Sequence, residues 1–250
     1  MKPSPVFLPG VPATYILDRL AKAGGNEVES GKLASPESSA ALAVNCFGWF
    51  VPRPELLPPF SGLDATFPPL LVDVEYQARF PWSGGKHPWL DAAALTKTHL
   101  IGIESKRFEP FRDKKTISLS AAYDQPVWGE AMRQYEKLRD QLRSSAIHFE
   151  YLDAAQLVKH AFGLVTDARR KGKQPALVYL FAEPSYLNGR PIGDRAIQCH
   201  RAEVAKFAEL VGGAEVTFLA TSYREWISSW VRYDQSVGQH GAALLREFGP

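Results

Sequence analysis

The chain has 250 residues, of which 45% are hydrophobic and 22% charged, the composition of an ordinary globular domain. No apolar run approaches the ~20 residues of a membrane-spanning helix, and two cysteines cannot build a disulfide framework or a four-cysteine zinc site. The net charge of +2 leaves any anion binding to local clusters of cations. We therefore expect a single domain over residues 1–250 with no membrane segment. Prolines interrupt the N-terminal stretch where a signal peptide would be apolar, which favours a reduced, cytoplasmic location.

The first part of the chain, about residues 1–69, is rich in proline and is expected to be irregular. Eleven of the 19 prolines lie in it. Two helices are still predicted there: one over 14–22, stopped by Gly24-Gly25, and one that begins at Ser35-Pro36-Glu37. Serine caps a helix and proline suits its first position, which is why the second helix is placed there.

Three strands are predicted in the middle of the chain. Residues 70–77 alternate, with Val72, Val74 and Tyr76 on one face and Asp73 and Glu75 on the other. A Gly84-Gly85 turn follows, and then residues 89–95 and 99–108 form a hairpin.

The second half of the chain alternates between helix and strand patterns. Residues 117–122 fit either a strand or the start of a helix. The remaining patterns predict helices over 127–143, 194–211 and 224–231, a helix from Asp153 to near Gly172 with Gln156 at the capping-box position, and strands over 176–182 and 215–220. A strand, a helix and a strand in succession imply a parallel crossover. We therefore expect an α/β protein with a mixed central sheet flanked by helices.

The hairpin carries the residues with the clearest chemical pattern. Along its second strand, Gly102, Glu104 and Lys106 point to one face. Asp91, on the paired strand, can lie alongside Glu104. Two carboxylates are the protein ligands that Mg²⁺ commonly uses, and the bound ion activates water for attack on a phosphate. Lys106 beside such a water could orient it, deprotonate it or stabilise the developing charge.

These residues resemble the active-site motif of the PD-(D/E)xK nucleases, a superfamily that includes many restriction endonucleases. Asp91 matches the aspartate, although Leu90 precedes it where the motif has proline, and Glu104-Ser105-Lys106 matches the second half. The segments RFPWSGGKHPWLD, LIGIESKRFEPF and QPVWGEAMRQYEKLRD are similar to a bacterial family of restriction-endonuclease-like proteins. The resemblance covers about residues 25–232.

The resemblance implies a restriction-endonuclease-like fold and hydrolysis of DNA with Mg²⁺, for which Mn²⁺ can substitute. It implies that Asp91 and Glu104 hold the metal with the backbone carbonyl of Ser105, and that Lys106 activates the water. A homodimer that cuts both strands remains open. So do two other functions on the same fold: a nucleic-acid-binding or scaffolding protein without catalysis, and a hydrolase of RNA or nucleotides.

Three further residues are candidates for supporting roles at this site. Glu75 is either a third metal-site acid or a surface carboxylate paired with Arg79. Gln156 and His160 are four residues apart and share a helix face. They resemble the QxxxY motif of RecB-like nucleases with histidine in place of tyrosine; the alternative is a capping glutamine and a buried, hydrogen-bonded histidine.

Two basic clusters and two tryptophans complete the candidates for substrate contact. Arg107, Arg112, Lys114 and Lys115 follow the motif and are predicted to contact DNA phosphates. A second cluster ends a helix, where cations also complement the helix dipole; it comprises Arg169, Arg170, Lys171 and Lys173. Of the six tryptophans, Trp82 and Trp89 are the two expected near the substrate.

Overall fold

The computed structural model describes residues 5–23, 27–84 and 86–250. The predicted helix stop at Gly24-Gly25 and the second glycine of the Gly84-Gly85 turn lie outside these residues. Within them, the helices are α1 (Ala13–Lys22), α2 (Ser39–Gly48), α3 (Glu109–Arg112), α4 (Arg133–Arg143), α5 (Ala154–Arg170), α6 (Asp194–Val211), α7 (Tyr223–Ser228) and α8 (Gln235–Phe248). The strands are β1 (Leu71–Gln77), β2 (Trp89–Leu95), β3 (His99–Lys106), β4 (Gln174–Phe181), β5 (Tyr186–Leu187), β6 (Arg190–Pro191) and β7 (Thr217–Ser222).

Five of these strands form one mixed sheet in the order β1-β2-β3-β4-β7, while β5 and β6 pair as a small hairpin. The first two pairings are antiparallel and the last two are parallel. The predicted hairpin and the predicted parallel crossover through α6 are therefore confirmed. The α/β class with a mixed sheet between helices is also confirmed.

A hydrophobic core lies on each face of the sheet, because the alternate side chains of its strands point to opposite sides. Ile101 and Ile103 belong to the core that includes residues of α1, α2, α7 and α8. Leu100 belongs to the other core, which includes residues of α4, α5 and α6. The end of β3 therefore presents successive side chains to two different helical layers.

Two glycines allow α5 to lie close against the sheet. A Cβ on Gly102 would come within 2.6 Å of Leu90 and 3.2 Å of Leu164. A Cβ on Gly163 would lie 2.8 Å from the carbonyl oxygen of Ala78. A side chain at Gly102 or Gly163 would push α5 away from the sheet and its flanking segments, and the α5 residues that face the end of β3 would move with the helix.

Several predicted boundaries were wrong because local capping and tertiary packing decide them. Helix α2 begins after Ser38, whose Oγ accepts from the Ala41 N–H at 3.0 Å, and not at Ser35. Residues 117–120 are irregular, and a short 3₁₀ turn follows at Ala121–Asp124. The helix expected from residue 127 begins at Arg133 after a 3₁₀ turn. The strand placed at 215–220 runs two residues later. Helix α8 was not predicted.

No helix in the described parts of the chain combines the length and apolar character that a membrane span needs.

Helix α8 contributes a buried histidine that makes the stability of the fold dependent on pH. His240 stacks on Trp49 with ring centroids 4.8 Å apart, and its Nε2 lies 3.1 Å from the carbonyl oxygen of Asn45. Burial lowers its pKa from 6.5 to about 4. The unfolded chain therefore takes up a proton at this residue below about pH 6.5, and the folded protein does so only near pH 4. The neutral His240 therefore costs the folded state nothing above pH 6.5, and the free energy of unfolding decreases as the pH falls from 6.5 towards 4.

We expect His240→Gln to reduce this acid sensitivity, because glutamine does not titrate and its amide N–H can still donate to Asn45. Between pH 6.5 and 4, the variant should lose up to about 3 kcal/mol less of its free energy of unfolding than the wild type. Urea unfolding at a series of pH values measures this difference. The free energy of unfolding of the variant still depends on pH, because burial also lowers the pKa of His200 to about 4. The same dependence of the free energy of unfolding on pH in the variant and the wild type would contradict the prediction.

Candidate active site

Asp91 lies where β2 and β3 stop pairing. The register between these strands runs from Leu95↔Leu100 to Ala92↔Ile103 and ends there. At the next residue a side-chain hydrogen bond replaces the pairing of the two backbones: Oδ2 of Asp91 accepts from the Ser105 N–H at 2.6 Å. No hydrogen bond reaches its Oδ1 from the described residues. Asp91 is thus fixed against the middle residue of Glu104-Ser105-Lys106 with one oxygen still available.

Glu104 is buried on the face of β3 that meets α5, with 2% of its side chain exposed. Its Oε1 accepts from the Lys106 ammonium, and its Oε2 lies 3.1 Å from Nδ1 of His160. Burial alone would raise the pKa of Glu104, but Lys106 and His160 outweigh it and lower the pKa to about 2. Glu104 is therefore ionised at neutral pH.

Lys106 is the positive charge of the cluster, with 17% of its side chain exposed. Burial alone would lower the pKa of Lys106. The carboxylates of Glu104, Asp91 and Glu109 outweigh it and raise the pKa above its ordinary value. A protonated lysine can donate hydrogen bonds and stabilise negative charge, but it cannot accept a proton.

The cluster carries more negative than positive charge around Asp91. Burial and the nearby carboxylate of Glu104 raise the pKa of Asp91 well above its ordinary value, although Lys106 and the Ser105 N–H act in the opposite direction. Glu75 adds to the effect. Carboxylates held together in this way repel one another until a cation or a proton offsets their charge.

The carboxylate of Glu75 interacts electrostatically with those of Glu104 and Asp91, and its backbone conformation is unusual. Its φ of 50° is in the left-handed region, which non-glycine residues seldom adopt. Burial raises its pKa to about 7, and the carboxylates of Glu27 and Glu104 contribute. The alternative partner, Arg79, instead donates to Gln77 at 3.2 Å.

The same conformation overturns the predicted alternation along β1. Val74 belongs to the core that includes residues of α2, whereas Tyr76 packs against the core on the α5 side. The prediction that Val72, Val74 and Tyr76 share one face was therefore wrong beyond Glu75.

Gln156 and His160 lie on the first turns of α5, next to the cluster. His160 is buried against Glu104, as described above. The Asp153 side chain caps the helix by accepting from the Gln156 N–H at 2.9 Å, so the backbone of Gln156 takes part in the cap. The side-chain amide of Gln156 has no hydrogen bond within the described residues. Together with Lys106, Gln156 lines a pocket of about 110 Å³.

The cations that follow the motif fall into two groups. Arg107 is buried and donates to the carbonyl oxygens of Pro36 and Phe248, so its guanidinium is not available to a phosphate. Lys115 is also engaged, because its ammonium donates to the carbonyl oxygens of Glu109 and Asp113.

Arg112 and Lys114, in contrast, are exposed. They line an open cleft of about 950 Å³, between residues 110–115 and the β5–β6 hairpin. Arg112 also pairs with Glu37 at 3.3 Å and with Asp113 at 2.7 Å. No ion pair within the described residues involves Lys114.

All four members of the second basic cluster contact other groups of the chain, although Arg169, Arg170 and Lys171 are exposed. The contacts of its members are Arg169 with Glu215, Arg170 with the carbonyl oxygen of Phe80, Lys171 with Asp167, and Lys173 with the carbonyl oxygen of Lys97.

Two residues that sequence patterns did not single out also support the end of β3. Tyr223, the first residue of α7, places its hydroxyl 2.7 Å from Oγ of Ser105. Glu109 accepts from the Arg107 N–H at 2.9 Å. Tyr223 is 118 residues from Ser105 in the chain, so no local pattern could have linked them.

The donor set suits a hard divalent cation. Among the described residues, no group of three or more histidine, cysteine, aspartate or glutamate side chains forms a ready metal cage. Mg²⁺ commonly uses only one or two carboxylates and keeps several waters. Asp91 has an oxygen free of hydrogen bonds, and each oxygen of Glu104 has more than one lone pair. The residues present therefore fit Mg²⁺.

The mixed sheet, with its acidic cluster at the end of β3, is compatible with the restriction-endonuclease-like class of α/β folds. The chain belongs to the family described as "Restriction Endonuclease associating with ARP", whose model matches residues 12–208. No curated protein and no solved structure matches the chain. The restriction-endonuclease-like family expected from the sequence segments is thus confirmed, over a range that begins and ends earlier than the resemblance.

Proposed function

We propose that this protein is a Mg²⁺-dependent deoxyribonuclease with a PD-(D/E)xK active site. The observation that carries the proposal is the hydrogen bond from the Ser105 N–H to Asp91, which ties the aspartate to Glu104-Ser105-Lys106. Membership of the family described as "Restriction Endonuclease associating with ARP" also supports hydrolysis of DNA.

In this proposal the residues divide the work of phosphodiester hydrolysis. Asp91 and Glu104 would hold the metal with the backbone carbonyl of Ser105, and Glu75 is a candidate third acid. When bound, Mg²⁺ supplies a Lewis acid for the phosphate and lowers the pKa of a bound water. Lys106 donates hydrogen bonds and stabilises the negative charge that develops as the water attacks. His160 and Tyr223 position Glu104 and Ser105, respectively.

DNA cleavage tests the proposal directly. Supercoiled plasmid, linear duplex, single-stranded DNA and RNA of matched sequence are incubated with the protein in Mg²⁺, Mn²⁺ or EDTA. We expect cleavage of DNA in either metal and none in EDTA. DNA binding without cleavage in any metal would favour the non-catalytic alternative, and cleavage of RNA alone would favour an RNA hydrolase.

The exposed cations in the large cleft give a prediction about binding. Replacing Arg112 and Lys114 together by alanine should weaken DNA affinity and reduce the slope of log K against log salt by nearly one unit per lost contact. Fluorescence anisotropy of a labelled duplex between ~50 and 200 mM salt measures both quantities. The control replaces Arg133 and Lys137, an exposed arginine and lysine on α4. An unchanged slope in the Arg112 and Lys114 variant would assign these residues to a solvated surface.

A further inference from the structure

A second cleft adjoins the candidate active site, and we call it the Trp89 cleft. Its volume of about 600 Å³ is within the range of small-molecule sites. It shares Asp153 and Gln156 with the pocket that contains Lys106. It is also lined by His160, the residue that contacts Glu104. A group bound in this cleft would therefore lie next to the cluster proposed to hold the metal.

Trp89 is the most unusual residue in this cleft. Its indole is only half-buried, and it is not among the side chains that pack against either hydrophobic core. Within the described parts of the chain, no aromatic ring stacks on it and no acceptor meets its indole N–H. The other five tryptophans each have an aromatic partner: Trp49 with His240, Trp82 with Phe80, Trp128 with Phe162, and Trp226 with Trp230.

The position of Trp89 relates it to the chemistry. It begins β2, two residues before Asp91, so the two Cα atoms are about 7 Å apart along an extended strand. This separation is within the reach of a single nucleotide. A ring stacked on Trp89 could thus belong to the nucleotide whose phosphate is next to Asp91.

The polar groups of the cleft suit the edge of a nucleobase and its phosphate. Nδ1 of His87 accepts from the Phe80 N–H at 3.0 Å, which places the proton of the neutral ring on Nε2. That Nε2–H and the side-chain amide of Gln156 have no hydrogen-bond partner within the described residues. Lys86 and Lys159 also line the cleft and add positive charge.

We propose that the Trp89 cleft binds an unpaired nucleobase of the DNA strand being cut, with Trp89 as the stacking surface. This inference rests on the proposed function and narrows its substrate. In a duplex, both faces of a base are covered by its neighbours, so only a base in a single strand, a gap or a distorted site can stack on a side chain. The preferred substrate is therefore DNA with unpaired bases at the point of cleavage.

The test compares binding of two DNAs in EDTA, where no hydrolysis is expected. One is a fully matched duplex and the other is the same duplex with a short unpaired stretch that carries 2-aminopurine. The wild type should bind the unpaired DNA more tightly and quench the 2-aminopurine. Trp89→Ala should weaken binding of the unpaired DNA about 5- to 150-fold, the usual effect of losing one base–aromatic stack. It should leave the affinity for the matched duplex unchanged.

Two further variants separate stacking from folding. Trp89→Phe should keep most of the preference because phenylalanine also stacks. Trp49→Phe, at a ring that stacks on His240 away from the cleft, should keep all of it. Melting temperatures show whether the three variants are folded.

The outcomes distinguish this inference from the proposed function. If Trp89→Ala keeps the wild-type preference, or weakens both DNAs equally, the base-binding role is overturned while the nuclease proposal stands. Tighter binding of single-stranded RNA than of DNA of the same sequence would overturn DNA as the occupant. If the wild type neither binds nor cuts DNA of any form, the proposed function itself fails.

Discussion

Replacing Lys106 by methionine is expected to lower the rate of DNA hydrolysis by about 10²–10⁴-fold, the usual worth of such electrostatic or acid–base assistance. Methionine keeps most of the side-chain volume and removes the charge that faces Glu104. Single-turnover cleavage at saturating enzyme measures the rate without a contribution from DNA affinity. Metal binding should persist, because Lys106 offers no ligand atom while it is protonated.

The variant should also be less stable, because Glu104 is left buried without its partner. Removing one member of a buried ion pair typically costs about 3–5 kcal/mol. The double variant Lys106→Met, Glu104→Gln removes both charges and should regain much of that stability while remaining inactive. Lys137→Met, at an exposed position on α4, is the control and should cleave normally. Wild-type cleavage by Lys106→Met would show that the resemblance to the nuclease motif is accidental.

Asp91→Asn is expected to abolish metal binding and cleavage together, with a loss of about 10³-fold or more in rate, because a metal-held phosphate is worth several kcal/mol. Unlike most substitutions of a buried group, it should raise the melting temperature in EDTA. Asparagine can still accept from the Ser105 N–H, and it removes a buried carboxyl whose ionisation is unfavourable beside Glu104 and Glu75. Calorimetry with Mn²⁺ and thermal unfolding in EDTA measure the two effects.

Asp73→Asn is the matched control on β1. Asp73 pairs with Arg19 at 3.1 Å and accepts from the Tyr15 hydroxyl at 2.8 Å, so its loss should lower the melting temperature and leave Mn²⁺ binding intact. If Asp91→Asn instead bound Mn²⁺ like the wild type, or lost stability as Asp73→Asn does, Asp91 would be an ordinary structural carboxylate.

The parts of the site that follow from regular strand geometry could be predicted from the sequence. The alternation along β3 separates Glu104 and Lys106 from Ile101 and Ile103, since successive side chains point to opposite faces. The hairpin register brings Asp91 to the same end of the sheet. Both inferences need only the two-residue alternation of side chains along a strand and the short turn of the hairpin.

Glu75 shows where such reasoning stops. Its left-handed φ breaks the alternation of β1 and moves Tyr76 to the other core. Glutamate has no intrinsic preference for this conformation, so the surrounding packing must impose it. A residue held at some energetic cost beside two other carboxylates is typical of a functional site.

Arg107 shows the second limit of sequence reasoning. Next to the motif, a cation is readily interpreted as a phosphate contact. Its role is decided by two backbone carbonyls, Pro36 and Phe248, which lie 71 and 141 residues away in the chain. Contacts over such separations depend on the finished fold, and no local pattern reports them.

The contact of Arg107 with Phe248 bears on how much of the chain the candidate site needs. The family match stops at residue 208, within α6. Beyond that point lie β7, which covers one side of β4, as well as Tyr223 and the carbonyl of Phe248 that accepts from Arg107. A fragment trimmed to the match would turn β4 from an interior strand into an open edge prone to association. It would also remove the contacts of Tyr223 and Phe248 with the far end of β3, so the last 42 residues of the 250 are part of the fold that supports the candidate site.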